Sequence, residues 1–212
     1  MRLKSLFILS LIAVTSAQAL AQDVSYKNDF QSAEIGKVPQ DMMVIDGGFV
    51  VAEDGGNKFL ELPGAPLDTF GILFGPTEKE NRTVSARIYG TSKGRRAPTF
   101  SVGLGGVGGY KLQVSPGKKA LELYRGDAMK TSVPFDWQSG KWTHLALTVK
   151  KSKDAEWSVL GRAWTEGSPE PATPTLTFAE MEQPPSGRAS IGGSPYATTP
   201  IRFDDLFTGP AK

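Results

Sequence analysis

Trp142-Thr143-His144-Leu145-Ala146-Leu147-Thr148-Val149-Lys150-Lys151, answered after a charged turn by Trp157-Ser158-Val159-Leu160-Gly161-Arg162-Ala163-Trp164, is the stretch that decides the fold. Leu145, Leu147 and Val149 recur at every second position, the spacing that puts side chains on one face of an extended strand. The turn, Lys150 to Glu156, is rich in charge, so the two runs read as a hairpin of long strands.

The same alternation of apolar with polar residues appears in Thr83–Tyr89, Thr99–Leu104, Tyr110–Ser115 and Ala120–Arg125. Val24–Phe30, Val44–Ala52, Lys58–Leu62 and Gly71–Gly75 open the chain, and Leu176–Phe178, Ser190–Gly192 and Ile201–Thr208 close it. The 24 glycines and 15 prolines punctuate the chain throughout, and no long window beyond the N-terminus carries a helical period. Gly167–Pro174 and Gln183-Pro184-Pro185 read as loops between sheets, and Gly103–Gly109 as a flexible hairpin turn, since it lacks the Lys-Ser/Thr of a phosphate loop. The expectation is an all-β chain, a two-sheet antiparallel β-sandwich of jelly-roll type.

The first 21 residues have a different character. Arg2 and Lys4 precede an apolar run, Leu6 to Val14, and the segment ends in Ala19-Leu20-Ala21. This is the pattern of a secretory signal peptide, which predicts cleavage before Gln22, a secreted or periplasmic location and no membrane insertion after cleavage. Residues 22–212 then form one domain. The absence of cysteine excludes a disulfide framework, so the core itself must supply the stability. Of the 24 basic residues two lie in the signal, which leaves a balance with the 22 acidic ones. A neutral, mixed surface provides no footprint for nucleic acid or anionic lipid.

The chain resembles the concanavalin A-like lectin/glucanase (laminin G-like) jelly rolls. The likeness is carried by Asp29-Phe30, Ile35-Gly36-Lys37-Val38-Pro39, Gly47–Val51, Asn57–Leu60 and Gly109–Leu112, and most of all by Gly140–Leu147 with Trp157-Ser158-Val159 and by Ile201–Leu206. The resemblance implies one sandwich over residues 23 to 209, in a superfamily whose members include lectins, glycosidases, lyases and structural modules on one scaffold.

Three groups of residues carry candidate chemistry. Arg87 and Tyr89, Lys111 and Gln113, and Glu122, Tyr124 and Arg125 occupy the polar faces of their strands. If those strands are neighbours, they make a saccharide-type surface of phenols and planar polar groups; otherwise they are ordinary solvated positions. Asp205 alternates with Phe203 and Phe207, which points it inward and demands a partner. The resemblance allows a structural Ca²⁺ held with Asp29 between the first and last strands. A salt bridge to arginine, or a β-bulge turning Asp205 to solvent, serves equally well.

The paired acids of a glycosidase are missing as a motif. Glu180-Met181-Glu182, the nearest approach, abuts Gln-Pro-Pro at a strand end. His144 is the single histidine, which rules out multi-histidine metal sites and reads as a surface or half-buried strand residue. Trp142 and Trp157 are expected to anchor the core. Recognition of a polysaccharide or glycan without catalysis is the function expected, a glycan-processing enzyme the alternative, and a purely structural module the third reading.

Overall fold

The computed structural model describes residues 24–78, 80–153 and 156–211, so the signal segment and the junction at Gln22 lie outside the described residues. The strands are β1 (Tyr26–Asn28), β2 (Met43–Asp46), β3 (Val50–Asp54), β4 (Asn57–Leu62), β5 (Phe70–Glu78), β6 (Arg82–Tyr89), β7 (Thr99–Leu104), β8 (Tyr110–Ser115), β9 (Ala120–Arg125), β10 (Ala128–Pro134), β11 (Trp142–Lys153), β12 (Glu156–Thr165), β13 (Leu176–Glu180), β14 (Gly187–Ser194) and β15 (Ile201–Pro210). A 3₁₀ turn, Pro116–Lys118, joins β8 to β9. One sheet runs β13-β12-β11-β6-β15-β4-β3, with β1 also pairing to β15, and a seven-stranded sheet runs β10-β9-β8-β7-β14-β5-β2. The pairings are antiparallel, as expected.

Alternation determines which face each strand buries. Leu145, Leu147 and Val149 of β11 face inward beside Val84, Ala86 and Ile88 of β6, and they meet Phe100, Val102, Leu112, Leu121 and Leu123 from the opposite sheet. Gly161 on β12 belongs to this contact. A Cβ there would stand 2.7 Å from Leu112 Cδ1, so the sheets approach closely only because the position carries no side chain.

Three features depart from the sequence reading. The expected strand Val44–Ala52 is two strands in different sheets, separated by Gly47 at φ +104°, where Asp46 Oδ1 accepts the Gly47 amide at 2.7 Å. A positive φ breaks the extended chain and carries it from one layer to the other. Strand β10 was not foreseen, because on this edge Ala128, Met129 and Lys130 are all exposed and leave no apolar period to read. Trp157 is buried in the core as expected, but Trp142 lies on the outer face of its sheet, packed against Phe59 and Tyr89.

Candidate functional site

A trough lies over the outer face of the seven-stranded sheet, and strand register shows how the sequence builds it. One row across the strands reads Tyr124, Lys111, Gly103, Ser190, Leu73, Met43 from β9 to β2. The next reads Glu122, Gln113, Ser101, Gly192, Gly71, Asp46. Large polar groups stand on β8 and β9, aliphatic ones at the β2 edge, and glycine and serine over β7 and β14 leave the centre low. The space forms two adjoining basins of about 930 Å³ each, which share Thr69, Thr99, Lys111, Gln113 and Asp127. Ile45 and Val107, both exposed, flank one basin, and Tyr196 borders the other.

The polar side is rigidly built. Glu122 is only 2 % exposed and accepts hydrogen bonds from Ser115 Oγ at 2.5 Å, Lys118 Nζ at 2.8 Å and the Tyr124 hydroxyl at 3.0 Å. Burial pushes its carboxyl up, but the bonds from Lys118, Ser115 and Tyr124 outweigh burial and hold it below the usual range, hence ionised at neutral pH. Tyr124 is thereby fixed in orientation, with the Lys111 ammonium 4.7 Å from its ring centre. The turn Pro116–Lys118, closed by Lys119 at φ 52°, swings Lys118 back over Glu122.

Of the seven residues expected to form one surface, Lys111, Gln113 and Tyr124 line this trough and Glu122 lies beneath it, bonded to Gln113 and Tyr124. Arg87 and Tyr89 do not. They lie on β6 in the other sheet, because identical alternation says nothing about which layer a strand joins. There Arg87 covers Trp142 at 4.6 Å, while Arg202 lies 4.6 Å from the Phe59 ring centre and 5.4 Å from that of Tyr89. Beside them His144 stacks on Trp164, with centroids 4.9 Å apart and planes 8° from parallel. Burial holds the imidazole below its ordinary pKa despite nearby Glu166. Arg125 is a second correction: it follows Leu121 and Leu123 on the inward-facing register of β9 and pairs with Glu180 at 2.9 Å. Glu180 does end a strand, as expected, but it is not a free acid. It is buried, accepts the Tyr110 hydroxyl at 2.8 Å and the Met181 and Glu182 amides, and is held below the ordinary carboxylate range although burial alone would raise it.

On β15, which lies between β6 and β4, the bulge alternative is the one realised. The register slips between Asp204 and Phe207, with Asp205 at φ 50°, so Asp205 is turned to solvent and Asp204 is enclosed in its place. Arg87 forms ion pairs with both, Nη2 donating to Asp204 at 2.7 Å and Nε lying 2.9 Å from Asp205, and Asn57 donates to Asp204 at 2.9 Å. Burial still leaves the Asp204 carboxyl raised. Asp29 and Asp205 do line one surface groove, but Asp29 Oδ1 accepts the Gln31 amide. Among the described residues no group of three or more His, Asp or Glu side chains converges to hold a metal.

The residues missed by sequence reasoning are Ser115 and Lys118, which clamp Glu122, and Thr69 and Tyr196 at the trough's margin. Pro116-Gly117 was the available signal for the first pair, since a tight turn there returns Lys118 toward the next strand.

By sequence the chain matches no protein-family model and no curated protein. Its structure is similar to a carbohydrate-binding module, CBM66, from Bacillus subtilis, with TM-score 0.55 and 11 % identity over 80 % of this chain and 95 % of the other. It is also similar to a Bacillus subtilis protein of unknown function with a galectin-like fold, with TM-score 0.60 and 10 % identity over 88 % and 96 %. A prokaryotic β-1,3-1,4-glucanase (lichenase) from a mouse hindgut metagenome gives TM-score 0.51 and 10 % identity over 89 % and 99 %. At such identities the likeness is one of fold. The chain has the concanavalin A-like sandwich fold.

Proposed function

We propose that the trough over the seven-stranded sheet is a saccharide-binding surface and that the protein is a non-catalytic, exported glycan-binding domain. The observation that carries this reading is the Glu122 clamp. A glycosidase needs a carboxyl free to donate a proton and a second one placed about 5–10 Å away. The Glu122 carboxylate beneath this trough accepts bonds on both oxygens and is held ionised, so it has no proton to donate, and the other acids that line the trough, Asp127 and Asp46, stand in solvent, Asp46 five strand spacings from Glu122, about 24 Å. The same clamp serves recognition well, because it fixes a phenol and an amide beside a floor low enough to seat a sugar ring. The carbohydrate-binding module that shares this fold agrees with the reading.

A glycan array probed with purified protein, run alongside a reducing-sugar assay on the glycans retained, tests it. Binding without release of reducing ends is the expected result. Turnover abolished by Glu122→Gln overturns the non-catalytic reading, and a blank array overturns the saccharide reading.

A further inference from the structure

The charges that face the trough are unequal in their surroundings. Lys118 is paired with Glu122 at 2.8 Å. Asp46 and Asp127 are exposed to solvent on an edge strand and a turn, where water and salt screen them. Lys111 differs from all of these. It is half-buried between the two basins and lines both, its ammonium rests on the Tyr124 ring at 4.7 Å, and among the described residues no carboxylate lies within ion-pair distance of it. Its neighbours in the row, Gly103 and Ser190, leave the space beside it open. A cation partly withdrawn from water, uncompensated and facing an open basin favours an anion more strongly than any solvated lysine does.

We infer that the trough selects an acidic glycan, one bearing carboxylate or sulfate groups, and that Lys111 is the residue that meets the anion. The inference rests on the saccharide reading of the same trough and adds the ligand's charge. The Tyr124 ring and the aliphatic Ile45 edge would pack against the apolar ring faces, while the ammonium donates to the anionic group. Because Tyr124 is fixed by its bond to Glu122, the ammonium resting on it is held in place before the ligand arrives.

Affinity electrophoresis of the purified protein in gels carrying polygalacturonate, dextran sulfate or neutral mixed-linkage β-glucan tests this. Retardation by polygalacturonate, by dextran sulfate or by both, weakening as sodium chloride is raised, is expected, with little retardation by the neutral glucan. Which acidic gel retards more tells carboxylate from sulfate. Lys111→Gln should weaken retention by about tenfold or more, the weight of one charge-assisted hydrogen bond, and Lys111→Arg should restore most of it. A thermal melt of Lys111→Gln that matches the parent protein separates lost binding from lost folding. Equal or stronger retention by the neutral glucan, unchanged retention of the folded Lys111→Gln protein, or retention in none of the three gels each overturns the inference. The saccharide reading itself falls only with a blank glycan array.

Discussion

Tyr110, on the seven-stranded sheet, donates its phenolic hydroxyl at 2.8 Å to Glu180, on the outermost strand of the opposite sheet. The bond ties the two layers together at one end of the sandwich, and Arg125 completes the clasp. Burial and the adjacent carboxylate push the phenol's pKa far up, so it stays a donor across the usable pH range. Tyr110→Phe should cost about 1–3 kcal/mol and Glu180→Ala about 3–5 kcal/mol, because the latter strands a phenol and a guanidinium together. Urea melts showing Glu180→Ala to be the milder change would remove this pairing from the structure's stability.

Core register on β11 is tested by neighbouring residues. Leu145 and Leu147 are wholly buried, so replacing either with Ala should cost about 2–5 kcal/mol. His144→Ala exchanges a half-buried stacked ring and should cost distinctly less. The reverse order in denaturant melts would shift the strand by one residue.

His144 also makes stability depend on pH. Its folded pKa lies below the usual value of 6.5, so the folded state binds fewer protons than the unfolded one as pH falls past that value. Stability from this group is therefore present above pH 6.5 and is lost progressively below it. Urea melts at pH 7.5 and 5.5 should show the loss, and His144→Gln should flatten that part of the profile, since the chain has no other histidine. A profile unaltered by His144→Gln would place the dependence on other groups.

Gly161→Ala is expected to destabilise by about 1–3 kcal/mol, because the added methyl meets Leu112 Cδ1 at 2.7 Å across the sheets. Pairing it with Leu112→Val should recover part of the loss. A melting temperature unchanged by Gly161→Ala alone would show that the layers have room there.

The split of the candidate residues between sheets makes opposite predictions for two tyrosines. Tyr124→Ala should weaken glycan retention, since it removes the ring of the trough's polar side. Tyr89→Ala should leave retention intact while lowering the melt, because its ring packs on Trp142 and under Arg202 on the far face. Equal losses of binding from both would put the ligand elsewhere.

Alternation along the chain was enough to read most of the strands, the inward faces of β6 to β9 and of β11, and hence the sandwich itself, though not the exposed edge strand β10. Period two is a local property: Val84, Leu112 and Leu145 are buried by the same rule wherever their strands end up. The rules of the backbone also made a bulge at Asp205 one of a few options. Which option was realised, and which strands became neighbours, was decided by contacts between residues far apart in the chain. Arg87 and Tyr124 look alike in their local pattern, yet one closes over Asp204 and the other over Glu122, on opposite faces of the molecule. The trough follows the same logic. Gly103, Ser190 and Gly71 are unremarkable alone, and only the pairing of β7, β14 and β5 brings them side by side to leave a hollow next to Lys111.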